Sequence, residues 1–565
     1  MNTIHKTGHF FKKNKDIATF CLFVIMGLIV FGNMLFNQYV WDDISYIVQN
    51  LDVHTISISK SFGPSYFNEP NVGYYRPLAA LYFSIVYEIF QNTPFVFHLL
   101  QLLLHITNSF LVYILFKRFF SKNISLFLSL VFLVHPIQVE SVSYIAQTID
   151  PLFFLFGMSG LLLSLKKNPG IVRLLIITIL LVLSVLSKET GILFIFIVLL
   201  FHYLYEKASV IKYFIISIVS MLLYLIIRFA VGHVYFIKIT EDTPIGNLPF
   251  AERLINLPII FFYYLKTFFF PLQLVIDQKW VITNPTIVNF YFPLAIDLLF
   301  ILFLVIIGRE LYKFERKFIG LYLLFILWFV SGIGMHMQIF PLDMTVADRW
   351  MYFPFVGFLG IIGTCIVYVN TYGRFKKIGF ILAVSILILF SLRTIIRNTN
   401  WQNSITLDLH DSKILDSSDL ENNLGVDYES IKKYPIALKH FTKSVSMQPT
   451  ELNTENTAIV YEEIGDMKNA SRYYDFSTEL HAQNLLVSNN PQDANDFIEN
   501  AVVAYPNDWL LWKYLAIAGL ELKNNHEANL AAKQANHLNP KDSDSKHILA
   551  NQPFNIILAG NMYTY

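Results

Sequence analysis

Long apolar runs, broken by short turns that carry lysine and arginine, fill the chain from Ile17 to about residue 392. The first extends from Ile17 to Phe36. Others cover roughly 95–116, 123–135, 150–165, 171–187, 191–205, 210–230, 291–308, 318–335, 351–369 and 378–392. A helix crosses the ~30 Å hydrocarbon core with about 17–25 apolar residues, so these runs predict membrane-spanning helices. The expected fold class is all-α: a polytopic helical membrane domain of about eleven spans over residues 1–400, then a second helical domain over 401–565. Segment 258–275 is apolar too, but it carries Lys266 and two prolines and reads as interfacial or re-entrant. The first run is too long for a cleaved signal peptide and lacks a small-residue cleavage site.

Basic residues orient these spans. Lys6, Lys12, Lys13 and Lys15 precede the first run, which places the N-terminus in the cytoplasm. Alternate loops carry Lys117, Arg118 and Lys122, then Lys166, Lys167 and Arg173, then Lys207 and Lys212. Arg309, Lys313, Arg316 and Lys317 follow, and then Arg374, Lys376 and Lys377. Each group falls where a cytoplasmic loop belongs, provided 258–275 does not cross. An odd number of crossings then puts 401–565 on the non-cytoplasmic side.

From Trp401 the pattern becomes polar, helical in period and self-similar. Gly425, Tyr428, Ala437, Phe441 and Pro449 stand at tetratricopeptide spacing, and Ala458, Tyr461, Ala470 and Tyr474 repeat it 33 residues on. Trp512, Leu515, Ala516, Ala528, Ala535 and Pro540 form another unit, preceded by Ala494, Ala501 and Pro506. Small residues are needed where paired helices touch, and proline ends the second helix. An ordinary helical bundle is the plainer alternative. Such repeats form a curved surface for peptides or partner proteins and do no chemistry themselves.

Composition agrees with the membrane reading. The 565 residues are 55% hydrophobic, 16% aromatic and 15% charged, with a mean hydropathy of +0.50. Soluble domains are nearer 45–50% apolar and about 25% charged. A net charge of +1 offers no field for nucleic acid. The two cysteines, Cys21 and Cys365, both lie in apolar runs, so a disulfide framework and a CxxC metal site are excluded.

Candidate chemistry gathers in the predicted outer loops. Trp41-Asp42-Asp43 follows the first run; adjacent carboxylates raise each other's pKa and suit base catalysis, although a solvated loop or an Asx cap would look the same. Arg76, in Tyr74-Tyr75-Arg76-Pro77-Leu78, suits bidentate phosphate binding or an interfacial anchor. His135-Pro136 precedes Glu140 and Asp150, and His135 also suits a helix cap. Ser187-Lys188-Glu189-Thr190-Gly191 joins two runs and alone would be an unremarkable turn. Asp348-Arg349-Trp350 precedes Tyr352 and Pro354, where Arg349 is a cation candidate or an aromatic-belt anchor. No Walker A, GxGxxG, HExxH or Ser-His-Asp spacing occurs.

The order Trp-Asp-Asp, Tyr-Arg-Pro-Leu, His-Pro-x3-Glu-x-Val, Ser-Lys-Glu-x-Gly and Asp-Arg-Trp-x-Tyr-x-Pro-x-x-Gly-Phe, followed by tetratricopeptide repeats, resembles the transmembrane and tetratricopeptide-repeat-containing O-mannosyltransferases and their bacterial relatives. These are similar in turn to the GT-C class of polyprenyl-phosphate-sugar-dependent glycosyltransferases. The resemblance covers nearly the whole chain, including Arg397-Asn398…Trp401 at the bridge into the repeats. Asp348 stands where many animal members carry glutamate, and the repeat array is shorter. The resemblance implies an integral-membrane enzyme that transfers a sugar from a polyprenyl-phosphate donor to a hydroxyl, of a Ser/Thr protein or peptide held by the repeats, with inversion. Asp42 or Asp43 would be the base, the resemblance favouring Asp42. Arg76, Lys188 and Arg349 would hold the donor phosphate, with His135, Glu140, Asp150, Glu189 and Asp348 in support. No metal ligand set is read from the sequence, and a divalent ion stays open. The expected location is a bacterial inner membrane with the repeats in the periplasm. A transporter or flippase would share the span count, and Asp297 inside a span fits it; a repeat scaffold without catalysis is the third alternative.

Overall fold

The computed structural model describes residues 2–63, 74–235, 244–314, 316–370, 376–487, 490–553, 555–558 and 561–564. They form two compact units, Met1–Leu415 and Asp416–Tyr565.

In the first unit every predicted apolar run is helical. Among the described residues six stretches are long and apolar enough to cross a membrane: Asp16–Phe36, Pro94–Phe116, Ile145–Ser164, Lys207–Val231, Ile287–Lys313 and Lys377–Asn400. The run predicted at 123–135 belongs to a broken pair, Lys122–Val134 and Pro136–Ser143, bent by 48°. The break has a local cause: His135 is extended (φ −71°, ψ 132°) ahead of Pro136, which disfavours helical geometry in its predecessor. Four other runs match shorter apolar helices, Ile171–Ser187, Glu189–Tyr205, Phe318–Gly334 and Pro354–Val369. A fifth short helix, Pro77–Phe90, is one that the hydrophobic pattern did not single out. Segment 258–275 lies largely in helix Phe250–Phe269, which carries Pro258 and stops before Pro271. Arg374 and the side chains of Lys6, Lys12, Lys13, Lys15, Arg316, Lys317 and Lys376 lie outside the described residues.

Leu298, Leu302, Val305, Phe380, Ile381 and Leu389 are exposed along two of the long helices, a surface suited to hydrocarbon. Inside, an aromatic core joins the helices beneath the loop that carries Arg349. Phe154 meets Tyr352 edge to face at 5.2 Å, and Phe194 meets Phe353 at 5.0 Å. Gly357 lets helix Pro354–Asn370 lie on helix Arg316–Gly334, because a Cβ there would sit 2.5 Å from the Phe329 backbone nitrogen.

Trp401 and helix Ser404–Asp411 belong to this unit. Arg397 bonds Asp411 at 2.8 Å, both fully buried, and Asp411 also accepts the Ile276 N–H at 2.8 Å.

The second unit consists of helical hairpins: Ser418–Ser430 with Tyr434–Met447, Glu451–Glu463 with Met467–Val487, and Trp509–Glu521 with Asn525–Leu538. Pro491–Ala504 packs on Trp509–Glu521, and Ser543–Leu549 packs on Asn525–Leu538. The small and aromatic residues of the sequence pattern lie at the seams: Ala437, Phe441, Ala458, Ala494, Ala528 and Ala535 are fully buried. Gly425 has no alternative, since a Cβ there would meet the Phe441 ring at 2.4 Å. One departure from an all-α chain is a two-stranded antiparallel hairpin, Asn555–Leu558 with Asn561–Thr564. Its Ile-Ile-Leu run is too short for a helix of the repeat and pairs as strand instead.

Candidate functional site

The adjacent aspartates diverge. Asp43 is fully buried; one oxygen accepts the Ala146 N–H at 2.6 Å and the other the Val40 N–H at 3.1 Å. Burial pushes its carboxyl well above the usual aspartate range, against those backbone bonds. Asp43 therefore pins the loop after the first helix to the turn at 144–148. Asp42 stays partly open. Its N–H donates to the Tyr144 hydroxyl at 3.1 Å. Burial raises its carboxyl, while a Tyr144 hydrogen bond and the charge of Arg349 pull it back; Asp343 raises it and Lys279 lowers it. Asp42 is the member of the pair with electrostatic access to the cations.

Three cations come from three separate loops, and each pairs with a carboxylate from another element. Arg349 bonds Glu140 through Nη1, and its backbone N–H donates to the other Glu140 oxygen at 3.2 Å. Its Nη2 reaches the more exposed Asp343 at 3.2 Å. Lys188 Nζ bonds Asp150 at 2.6 Å with both groups buried. Arg76 Nε bonds Glu189 at 3.0 Å, and the other Glu189 oxygen accepts the Tyr75 N–H at 3.1 Å. Burial lowers the Lys188 ammonium, and the charges of Arg76 and Arg349 push the same way against Asp150. That mutual influence places the three cations in one electrostatic neighbourhood.

Asp150, Lys188, Thr190, His336, Arg349 and Trp350 line a narrow crevice above the aromatic core, closed in this conformation to a water-sized molecule. His336 stacks on Trp350 at 4.9 Å. Chemically the cleft offers guanidinium and ammonium donors in a dry, low-dielectric setting, where they act strongly on a phosphate. Among the described residues no three His, Cys, Asp or Glu side chains converge tightly enough to hold one ion.

Two of the predicted supporting residues stand elsewhere. His135 caps the bend: its Nδ1 accepts the Ile137 N–H at 3.1 Å, and its Nε2 bonds the Phe268 carbonyl at 2.9 Å. Asp348 is not part of the cleft lining; it accepts a hydrogen bond from the Tyr263 hydroxyl at 2.6 Å, and burial and the nearby Glu140 charge raise its carboxyl. Sequence reasoning missed Tyr144, His336 and Asp343. Asp343 had one available signal, its place six residues before Arg349 in the same loop. Tyr144 and His336 had none, being a tyrosine and a histidine at ordinary helix ends.

Residues 69–234 match the family described as dolichyl-phosphate-mannose-protein mannosyltransferase. The chain is 25% identical over 519 residues to the human protein O-mannosyl-transferase TMTC3, which covers 81% of this chain and 55% of the relative. It is 24% identical over 408 residues to the protein O-mannosyl-transferase F38B6.6 of Caenorhabditis elegans, covering 70% and 57%. The chain spans about half the length of these curated relatives. A solved structure, ArnT from Cupriavidus metallidurans bound to undecaprenyl phosphate, aligns with a TM-score of 0.39 at 11% identity, over 96% of this chain and 86% of that one. The chain is thus a sequence relative of the protein O-mannosyl-transferases over four-fifths of its length, and the matched mannosyltransferase segment runs through the loops that carry Arg76, Glu140, Asp150 and Lys188.

Proposed function

We propose that this chain is an integral-membrane glycosyltransferase that moves a sugar from a polyprenyl-phosphate donor to a hydroxyl of a Ser/Thr protein or peptide. The observation that carries the reading is the partly open Asp42 carboxylate, within electrostatic reach of Arg349, which together with Lys188 lines a buried crevice. Asp42 takes the proton of the acceptor hydroxyl as its oxygen attacks the anomeric carbon. The bond from that carbon to the phosphate oxygen breaks, its electron pair leaves with polyprenyl phosphate, and the centre inverts. Arg349, Lys188 and Arg76 stabilise the charge that grows on the leaving phosphate. Their carboxylate partners keep them charged and aimed when the cleft is dry; Asp343, the most exposed of these partners, is the one a phosphate displaces most readily.

The loop charges support an arrangement with an odd number of crossings and the repeats on the non-cytoplasmic side, the periplasm in a bacterium. There the repeats would present the acceptor. The mannosyltransferase relatives favour mannose as the sugar.

Purified protein given labelled polyprenyl-phosphate mannose and a Ser/Thr peptide should glycosylate the peptide with inversion, and Asp42→Asn should abolish the transfer. Absence of transfer from every polyprenyl-phosphate sugar overturns the reading. Asp297 favours a second one: it is 5% exposed in helix Phe292–Phe314, and its Oδ1 has no hydrogen-bond partner among the described residues. An intramembrane carboxylate of this kind suits a transporter. Translocation of a lipid-linked sugar across vesicles without transfer would decide for that alternative.

A further inference from the structure

The segment that leaves the last long apolar helix forms the seat of the loop bearing Asp42. Asn33 Nδ2 donates to the Ile395 carbonyl at 3.0 Å, Asn37 Nδ2 to the Asn398 carbonyl at 3.2 Å, and the Gln38 N–H to the Gln402 carbonyl at 2.9 Å. At the end of this zipper Trp41 has φ +49°, the left-handed region that a bulky side chain avoids. Its indole N–H donates to Asp408 Oδ1 at 2.8 Å, and Asp408 is fully buried. On the other side of Asp42, Tyr144 accepts the Asp42 N–H and holds its ring 5.5 Å from Trp401. Both supports of Asp42 thus rest on residues 401–408, far outside the matched segment 69–234.

The strain at Trp41 has a directional consequence. A residue in the left-handed region turns the chain sharply, and that turn sets where the next Cα–Cβ bond points. Without its acceptor the indole N–H would lose a part-buried hydrogen bond, and Trp41 would be free to relax to negative φ. Asp42 would then change direction, while Asp43, anchored separately on Val40 and Ala146, would stay in place.

We propose that Trp41 and Asp408 are a positioning pair, whose hydrogen bond holds the strained turn that aims Asp42 at the acceptor hydroxyl. The proposal rests on the reading of Asp42 as the base. Its test uses the full-length protein and three variants. Trp41→Phe keeps the ring and removes the N–H; Asp408→Leu removes the acceptor; Asp408→Asn keeps an acceptor oxygen.

Trp41→Phe and Asp408→Leu should lower kcat on the order of tenfold to a hundredfold, the scale of a misplaced catalytic group. The KM for polyprenyl-phosphate mannose should hold, because Arg349, Lys188 and Arg76 are untouched. Asp408→Asn should restore most of kcat. Amide hydrogen exchange over 38–46 should rise in the first two variants and not elsewhere in the folded protein. Unchanged kcat with unchanged exchange in Trp41→Phe overturns the proposal, and so does a rise in KM at constant kcat. If the wild type transfers no sugar, the functional reading falls by itself. The exchange data then judge the pair alone: protection of 38–46 retained in Trp41→Phe overturns it, and protection lost upholds the hold on the loop.

Discussion

Asp42 and Asp43 share one turn of backbone, yet Asp42 stays partly exposed while Asp43 commits both oxygens to backbone N–H groups. Amide substitution should therefore act differently on the two. Asp42→Asn should cut transfer 10²–10⁴-fold, the usual worth of a general base, with folding and donor binding intact. Asp43→Asn turns an NH₂ toward a buried N–H, leaving a donor unmet at a cost of about 1–3 kcal/mol. It should lower the melting temperature and yield more than the turnover of the surviving enzyme. Thermal unfolding and initial rates on both variants check this, and full activity in Asp42→Asn would return Trp41-Asp42-Asp43 to a loop-capping role. The pH profile carries a sign as well. Asp42 acts as a base only when ionised, and burial holds its carboxyl above the ordinary value of ~4. Transfer should rise with pH through an acid limb above that value. The Tyr144 hydrogen bond favours the ionised form, so Tyr144→Phe should move the limb to higher pH. A limb that stays put or moves lower contradicts the assignment.

At the scale of elements, the site depends on where short helices stop and how closely they approach. The bend at His135-Pro136 turns Val139–Ser143 so that Glu140 meets Arg349. The close contact at Gly357 holds the helix that follows Arg349 against its neighbour. A methyl group at Gly357 must push backbone from backbone, and overpacking of this kind costs roughly 1–3 kcal/mol. Gly357→Ala should lower the melting temperature of the membrane unit and weaken transfer with it. Gly379→Ala is the control, since nothing lies within 4 Å of a Cβ placed there. Equal melting temperatures for the two variants would mean that the approach at Gly357 relaxes freely.

For the whole molecule, the distribution of basic residues makes a topological prediction. A reporter active only in the cytoplasm, fused after Tyr565, should stay silent, and one active outside should report. Cytoplasmic activity would invert the membrane domain and place Asp42, Lys188 and Arg349 on the wrong face for an outer-leaflet donor. The second unit has its own buried seams at Ala437, Phe441, Ala516 and Ala532. Its start at Asp416 trails the change in composition at Trp401, because Trp401 and helix Ser404–Asp411 are held in the membrane unit by Tyr144, Trp41 and Arg397.

The sequence by itself determined the helical class, the places of the apolar helices and the small residues buried between the helices of the second unit. Those features are periodic and local: a helix shows its span in hydrophobic length, and a close helix pair shows its seam in small residues. It also singled out Asp42, Asp43, Arg76, Lys188 and Arg349 as chemistry held in loops. The short helix Pro77–Phe90 escaped notice because its 14 residues fall below the length that marks a span. Only the tertiary structure decided the pairings. Arg76 meets Glu189 across 113 residues of chain, Lys188 meets Asp150 across 38, and Arg349 meets Glu140 across 209. It also separated the open aspartate from the buried one and brought Asp408 to Trp41 across 367 residues. A charge pattern along a chain carries no record of which loop will face which. That is set by helix packing, through bends such as His135-Pro136 and close approaches such as Gly357, whose effect appears only once the neighbouring helix is in place.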